Sequence, residues 1–272
     1  MSDIKKLRRM DDLALPQTVV EPPPITVSSR SAAQTYIEQF DHGPAGWWAW
    51  SGNATGLKAL ETGNSSVISR SPWWIDYNHA PPGAGYLHMV FCLCTKGPFG
   101  EAMTEVAGPN GFVKGGFPRN FTNAELTFRI KGELETRGAR LVLLVQSTFN
   151  SLTSGWALIG QPLKVGSQWS EQTITAVPEP DQWACIGSRH DRADYYGYIE
   201  LKKVLSDVNC NIMLILFPLT IAPMGQLNGD KHILRPGKDY PVWTSKLPEG
   251  YVMMDSARIT FQEKQIAQKA SS

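Results

Sequence analysis

The sequence predicts an all-β chain: an antiparallel β-sandwich of the jelly-roll kind, with one short helix and an extended N-terminal tail. Three observations predict it. Apolar and polar residues alternate with period two through most candidate segments, the spacing of strands with one covered face. Gly and Pro are dense, at 24 and 19 residues, and interrupt those segments as turns between short strands require. Only one segment carries helical spacing.

Residues 1–30 read as a tail, charged at first and then carrying "EPPPITVSSR", whose prolines favour extended polyproline II. Residues 31–264 read as a single sandwich domain and 265–272 as a polar tail. "YLHMVFCLCT" places Leu87, Met89, Phe91 and Leu93 on one face and Tyr86, His88, Val90, Cys92 and Cys94 on the other. "AELTFRIKG" alternates, with Leu126, Phe128 and Ile130 inward and Thr127, Arg129 and Lys131 outward. A turn at Arg137-Gly138 leads into "ARLVLLVQST", whose continuous apolar run predicts burial on both faces, with Gln146 near its exit. "WALIGQPL", "WSEQTITAV", "NIMLILFPL" and "YVMMDSARITF" are the further strands. Gly197–Val208 instead sets Ile199, Leu201, Val204, Leu205 and Val208 near helical spacing, which predicts the helix.

A chain of 272 residues is within the range of one sandwich. A net charge of +1 gives no argument for nucleic acid or an anionic membrane as partner, and neither is expected. The basic N-terminus has no apolar core behind it, and the longest apolar run, Ile212–Pro223, is short and broken by proline. The expectation is a cytoplasmic chain without signal peptide or membrane span. Cys92 and Cys94 stand two apart and no CxxC pair occurs, so the four cysteines are expected as buried thiols. No phosphate-binding glycine loop, HExxH or GxSxG is present.

The stretch "SRSPWWIDYNHAPPGAGYLH" concentrates the candidate ligand residues: Trp73, Trp74, Asp76, Tyr77, Asn78, His79, Tyr86 and His88. Indole rings offer a stacking surface, while carboxylate, amide and imidazole offer hydrogen bonds. The rings also suit a core plug, because aromatics dominate core energetics. The stretch is expected to wall a pocket, with at least one of Trp73, Trp74 and Tyr77 partly exposed. Arg129 and Gln146 are expected to face the same way on neighbouring strands and to join this site. A His–Asp pair there could also serve acid/base chemistry, which keeps a lyase, hydrolase or isomerase as an alternative. A third alternative is an accessory subunit whose residues 1–30 dock on a protein partner.

"FDHGPAGWWAW", "FTNAELTFRIKGELETRGARLVLLVQS" and "GYVMMDSARITF" together resemble the galactose-binding-like and carbohydrate-binding-module jelly rolls, over Phe40 to Phe261. The resemblance implies a carbohydrate or other small polar ligand. It also implies that the first and last strands meet, where Asp41 and Asp255 would share a structural Ca²⁺ through hard oxygen ligands. Jelly-roll polysaccharide lyases gather Arg, Gln, His and Tyr on a concave sheet, the residue types of Arg129, Gln146, His88 and Tyr86, but the lyases' characteristic strand motifs are absent here and no catalytic residue carries over.

Overall fold

A computed structural model describes residues 34–50, 57–73, 88–97, 101–185, 188–189, 197–217, 233–234 and 248–262. One sheet contains β1 (Thr35–Glu38), β4 (Glu61–Thr62), β5 (Val67–Arg70), β7 (Glu125–Glu135), β10 (Ser170–Thr175) and β15 (Glu249–Thr260). The other contains β2 (Trp47–Trp50), β3 (Leu57–Lys58), β6 (His88–Cys94), β8 (Arg140–Phe149), β9 (Leu152–Ala157), β11 (Ala184–Cys185) and β13 (Asn211–Phe217). A small parallel pair, β12 (Ser188–Arg189) with β14 (Ile233–Leu234), stands apart. In the first sheet the order is β10-β7-β15-β5-β4, with β1 also beside β15; in the second it is β11-β9-β8-β13-β6-β2-β3. The chain passes from one sheet to the other repeatedly, among other places between β5 and β6, β6 and β7, β7 and β8, β9 and β10, and β13 and β15. That interleaving is the jelly-roll arrangement of a β-sandwich, as the sequence predicts.

The core lies between the sheets. Leu126, Phe128 and Ile130 of β7, with Val252, Met254, Ala257 and Ile259 of β15, meet Phe91, Leu93, Leu143, Val145, Leu214 and Leu216 from the other side. Burying one such side chain is worth roughly 1.5–3 kcal/mol. Trp47 closes one end, its ring edge-on to Phe128 at 6.4 Å and its Nε1 donating to the Tyr36 hydroxyl at 3.1 Å. Two bulges correct the strict alternation. In β15 the pairing steps from Met254↔Ile130 to Ser256↔Arg129, so Asp255 is the extra residue and Ala257 and Ile259 return to the core. In β6, Phe91 pairs with Leu214 but Met89 with Ile215, so Val90 and Phe91 both turn inward and Met89 joins Cys92 and Cys94 outside. The predicted placement of Met89 with Phe91 and Leu93 is thereby corrected.

The β13 sheet is apolar on both faces. Trp48, Met89, Cys92, Val142, Leu144, Met213, Ile215 and Phe217 form its outer surface and are all buried. Among the described residues three short α-helices accompany the sheets, where the sequence predicts one. The predicted helix is present as α3 (Leu201–Ser206), with Leu201, Val204 and Leu205 buried. The unpredicted ones are α1 (Glu101–Ala107) and α2 (Gly111–Lys114). Asn110 caps α2: its Oδ1 accepts from Val113 N at 3.0 Å and its Nδ2 donates to Cys94 O at 2.8 Å. Arg137 and Gly138 both take positive φ, 53° and 91°, in the turn that carries the chain from β7 to the other sheet. The strand expected over "WALIGQPL" ends at Ala157 and begins earlier, at Leu152. No helix among the described residues is long and apolar enough to cross a membrane. The tails, 1–30 and 265–272, lie outside the described residues.

Candidate functional site

The predicted aromatic loop starts as a plug. Trp73 is 1% exposed, and its Nε1 donates to Ser69 Oγ at 2.8 Å. Ser71 N donates to Gly250 O at 2.9 Å, and Gly250 N donates back to Ser71 Oγ at 3.1 Å, which ties this segment to the start of β15. Trp73 therefore belongs to the core, and its ring offers no face for a ligand to stack on. Trp74, Asp76, Tyr77, Asn78, His79 and Tyr86 lie outside the described residues, as does the side chain of His88, whose backbone opens β6 opposite Leu216.

Arg129 and Gln146 do not converge. Arg129 is on the outer face of the β15 sheet, while Gln146 is on β8 in the opposite sheet, 1% exposed and in register with Asn211. Because β7 and β8 belong to different layers, sequence proximity does not make them neighbours. The first and last strands do meet: Tyr36 pairs with Ile259 and Glu38 with Ala257. The calcium expectation finds no matching arrangement there. Asp255 Oδ2 accepts from Arg129 Nη1, so the carboxylate already faces a fixed cation, while Asp41 sits in an exposed turn. Among the described residues no group of three His, Cys, Asp or Glu side chains is placed to hold a metal.

The outer face of the β15 sheet does assemble a constellation. Arg129 and Lys131 are alternate residues of β7 and so share that face. Trp169, just before β10, lies beside them partly exposed, with Arg129 Cζ 5.0 Å and Lys131 Nζ 4.7 Å from its ring centroid. The bulge at Asp255 turns its carboxylate to the same Arg129. Desolvation pushes the Asp255 carboxyl above its ordinary value, and the charges of Arg129 and Lys131 oppose that rise. Further along, Arg70 lies over the Tyr251 ring at 4.9 Å, while its Nε reaches both oxygens of Glu61, at 3.0 and 2.9 Å. Met253 and Ile68 are in register with Lys131 on the neighbouring strands. From a strand spacing of about 4.8 Å and a rise of about 3.4 Å per residue, Trp169 and Tyr251 stand about 12 Å apart.

The sequence reading missed Trp169 and Tyr251. "WSEQTITAV" begins with Trp169, and the alternation within it puts Trp169, Glu171 and Thr173 on the polar side. That phase was the available signal: a Trp on the polar side of a strand is not a core residue.

No family model matches the chain, and no curated protein matches it. Among solved structures, that of a marine algae virus of the order Picornavirales is 11% identical, covering 92% of this chain and 83% of that one, with a TM-score of 0.16. A likeness at that score carries no argument about fold or function.

Proposed function

We propose that the chain binds carbohydrate, and that it does so on the outer face of the β15 sheet with Trp169 as the stacking platform. One observation carries the reading: a partly exposed indole lies between sheet positions that supply donors and acceptors, Arg129, Lys131 and Asp255. A pyranose has an apolar C–H face and a rim of hydroxyls. The indole matches the first and the Arg129–Asp255 pair the second. The β7 backbone holds the pair in place, so little ordering entropy is lost when a ligand arrives. Tyr251 offers a second ring beyond the reach of one sugar.

Glycan-array screening followed by calorimetry tests this. The expectation is a glycan that binds the full chain and loses tenfold or more in affinity in Trp169→Ala, with the melting temperature of the variant nearly unchanged. Silence across neutral, acidic and amino sugars, or equal affinity in Trp169→Ala, rejects it.

A further inference from the structure

We infer that the chain has a second ligand site, unrelated to the Trp169 face: a half-open apolar cavity between β2, β6 and the helix pair α1–α2 that takes a small aromatic or short-chain carboxylic acid. The cavity measures about 230 Å³, and Gly46, Cys94, Ala107, Pro109, Val113 and Lys114 are among its walls. Its shape follows from the local backbone. Gly46 N donates to Ala107 O at 2.8 Å and Gly111 N donates to Ala45 O at 3.0 Å, which pins both helices to the turn before β2. At this seam the two backbones touch: a Cβ on Gly46 would come within 2.6 Å of Asn110 Cα, and its φ of +95° also requires glycine. Beyond the seam, small residues leave the space open.

The chemistry of the walls selects the ligand. Asn110 already uses both ends of its amide, on Cys94 O and Val113 N. Cys94 is buried, and desolvation holds its thiol far above the usual range, so it is a neutral, unreactive wall at neutral pH. Apart from the Thr104 hydroxyl and Lys114, the remaining described surface is methyl, methylene and glycine backbone, suited to a ring or alkyl chain. Among the described residues, Lys114, exposed in the last turn of α2, is the charged group on the lining, and none of them lines the cavity with a carboxylate. An apolar cavity of about 150 Å³ is enough to hold benzene. The volume here admits a ring with a short arm, and the position of Lys114 places an anionic group at the opening.

Calorimetry on the full chain with 3-phenylpropanoate and with its alcohol, 3-phenylpropan-1-ol, tests the inference. The acid is expected to bind at least fivefold more tightly than the alcohol. Lys114→Gln, an exposed substitution, is expected to abolish that preference and leave alcohol binding in place. Thr104→Trp, also exposed and on the lining, is expected to weaken both ligands tenfold or more by closing the mouth. Absence of binding by either compound overturns the site. Equal affinity for acid and alcohol in the unmodified chain overturns the ligand class, and binding indifferent to Thr104→Trp overturns the location.

Discussion

The outer faces of the two sheets have opposite characters on the same scaffold. On the β15 sheet, Arg129, Lys131, Glu133, Glu171 and Arg258 face outward with Thr127 and Thr173, and much of the charge is paired: Arg129 with Asp255, Arg258 with Glu171 at 3.6 Å, Arg137 with Glu249 at 3.0 Å. On the β13 sheet the corresponding positions are Leu144, Met213, Ile215 and Val142, all buried. Both faces sit above equally apolar inner faces. The difference shows that the second face of a strand, not the first, reports what covers the sheet: polar where water does, apolar where protein does.

The largest expected effect breaks or confirms this contrast directly. Leu144→Ala should cost about 2–5 kcal/mol in denaturant unfolding, the range for emptying a packed site. Lys131→Ala, on the other outer face, should cost no more than about 0.5 kcal/mol. Equal costs would mean that the two faces do not differ as described.

Next in size is alkaline pH, which acts on the β13 side. Burial raises the thiols of Cys92, Cys94 and Cys210 in the folded chain, Cys210 to about 11 from its ordinary 9.0. The unfolded chain therefore ionises first. Their contribution is fully present below pH 9.0 and is lost as pH rises toward the folded values. Each thiol should remove on the order of 1 kcal/mol per pH unit within that window, and Cys210→Ala should flatten the fall measured by denaturant titration.

Acid and salt sharpen the β15 side. Arg129→Ala should cost about 1 kcal/mol at neutral pH, because Asp255 keeps its partly buried charge without its partner. The Asp255 carboxyl should titrate higher still in that variant, since the cation opposing its desolvation has gone, and the cost should vanish once Asp255 is protonated. Carboxylate NMR shifts through an acid titration check both; an unmoved Asp255 titration would detach Arg129 from it. The smallest effect is expected at the exposed pair Arg70–Glu61, where Glu61→Gln should change stability by no more than about 0.5 kcal/mol and less in high salt.

Much of this was legible in the residues. β7 alternates, so Leu126, Phe128 and Ile130 could be placed inward, and β8 carries an unbroken apolar run that marked it as covered on both sides. Period-two reading failed at Val90 because a bulge adds a residue to one strand only, and its presence depends on the partner strand; the bulge at Asp255 has the same cause. The helices α1 and α2 were hidden among glycines and prolines that signal turns; Asn110 as cap was the local clue. The site was harder to read than the fold. Trp73 and Trp169 are the same residue type beside similar polar neighbours, yet one is core and the other surface. What separates them is strand phase, and Trp73 was read as part of a loop with no phase to apply. Arg129 and Gln146 looked like neighbours because the crossing between sheets falls at the turn between their strands.

The position of β15 governs how the chain can fold. Glu249–Thr260 is hydrogen-bonded to β7 along one edge and to both β1 and β5 along the other, so Tyr36 awaits Ile259 and Ser69 awaits Val252. Contacts so distant in sequence form slowly, on the order of milliseconds to seconds for sandwiches of this kind. On the ribosome, β6, β8, β9 and β13 emerge before the strand that completes the facing sheet. A nascent chain halted short of Glu249 would carry the inner apolar surface of the β13 sheet without its full cover. That makes the interval between Phe217 and Glu249 the stage of synthesis at which this protein most needs a chaperone.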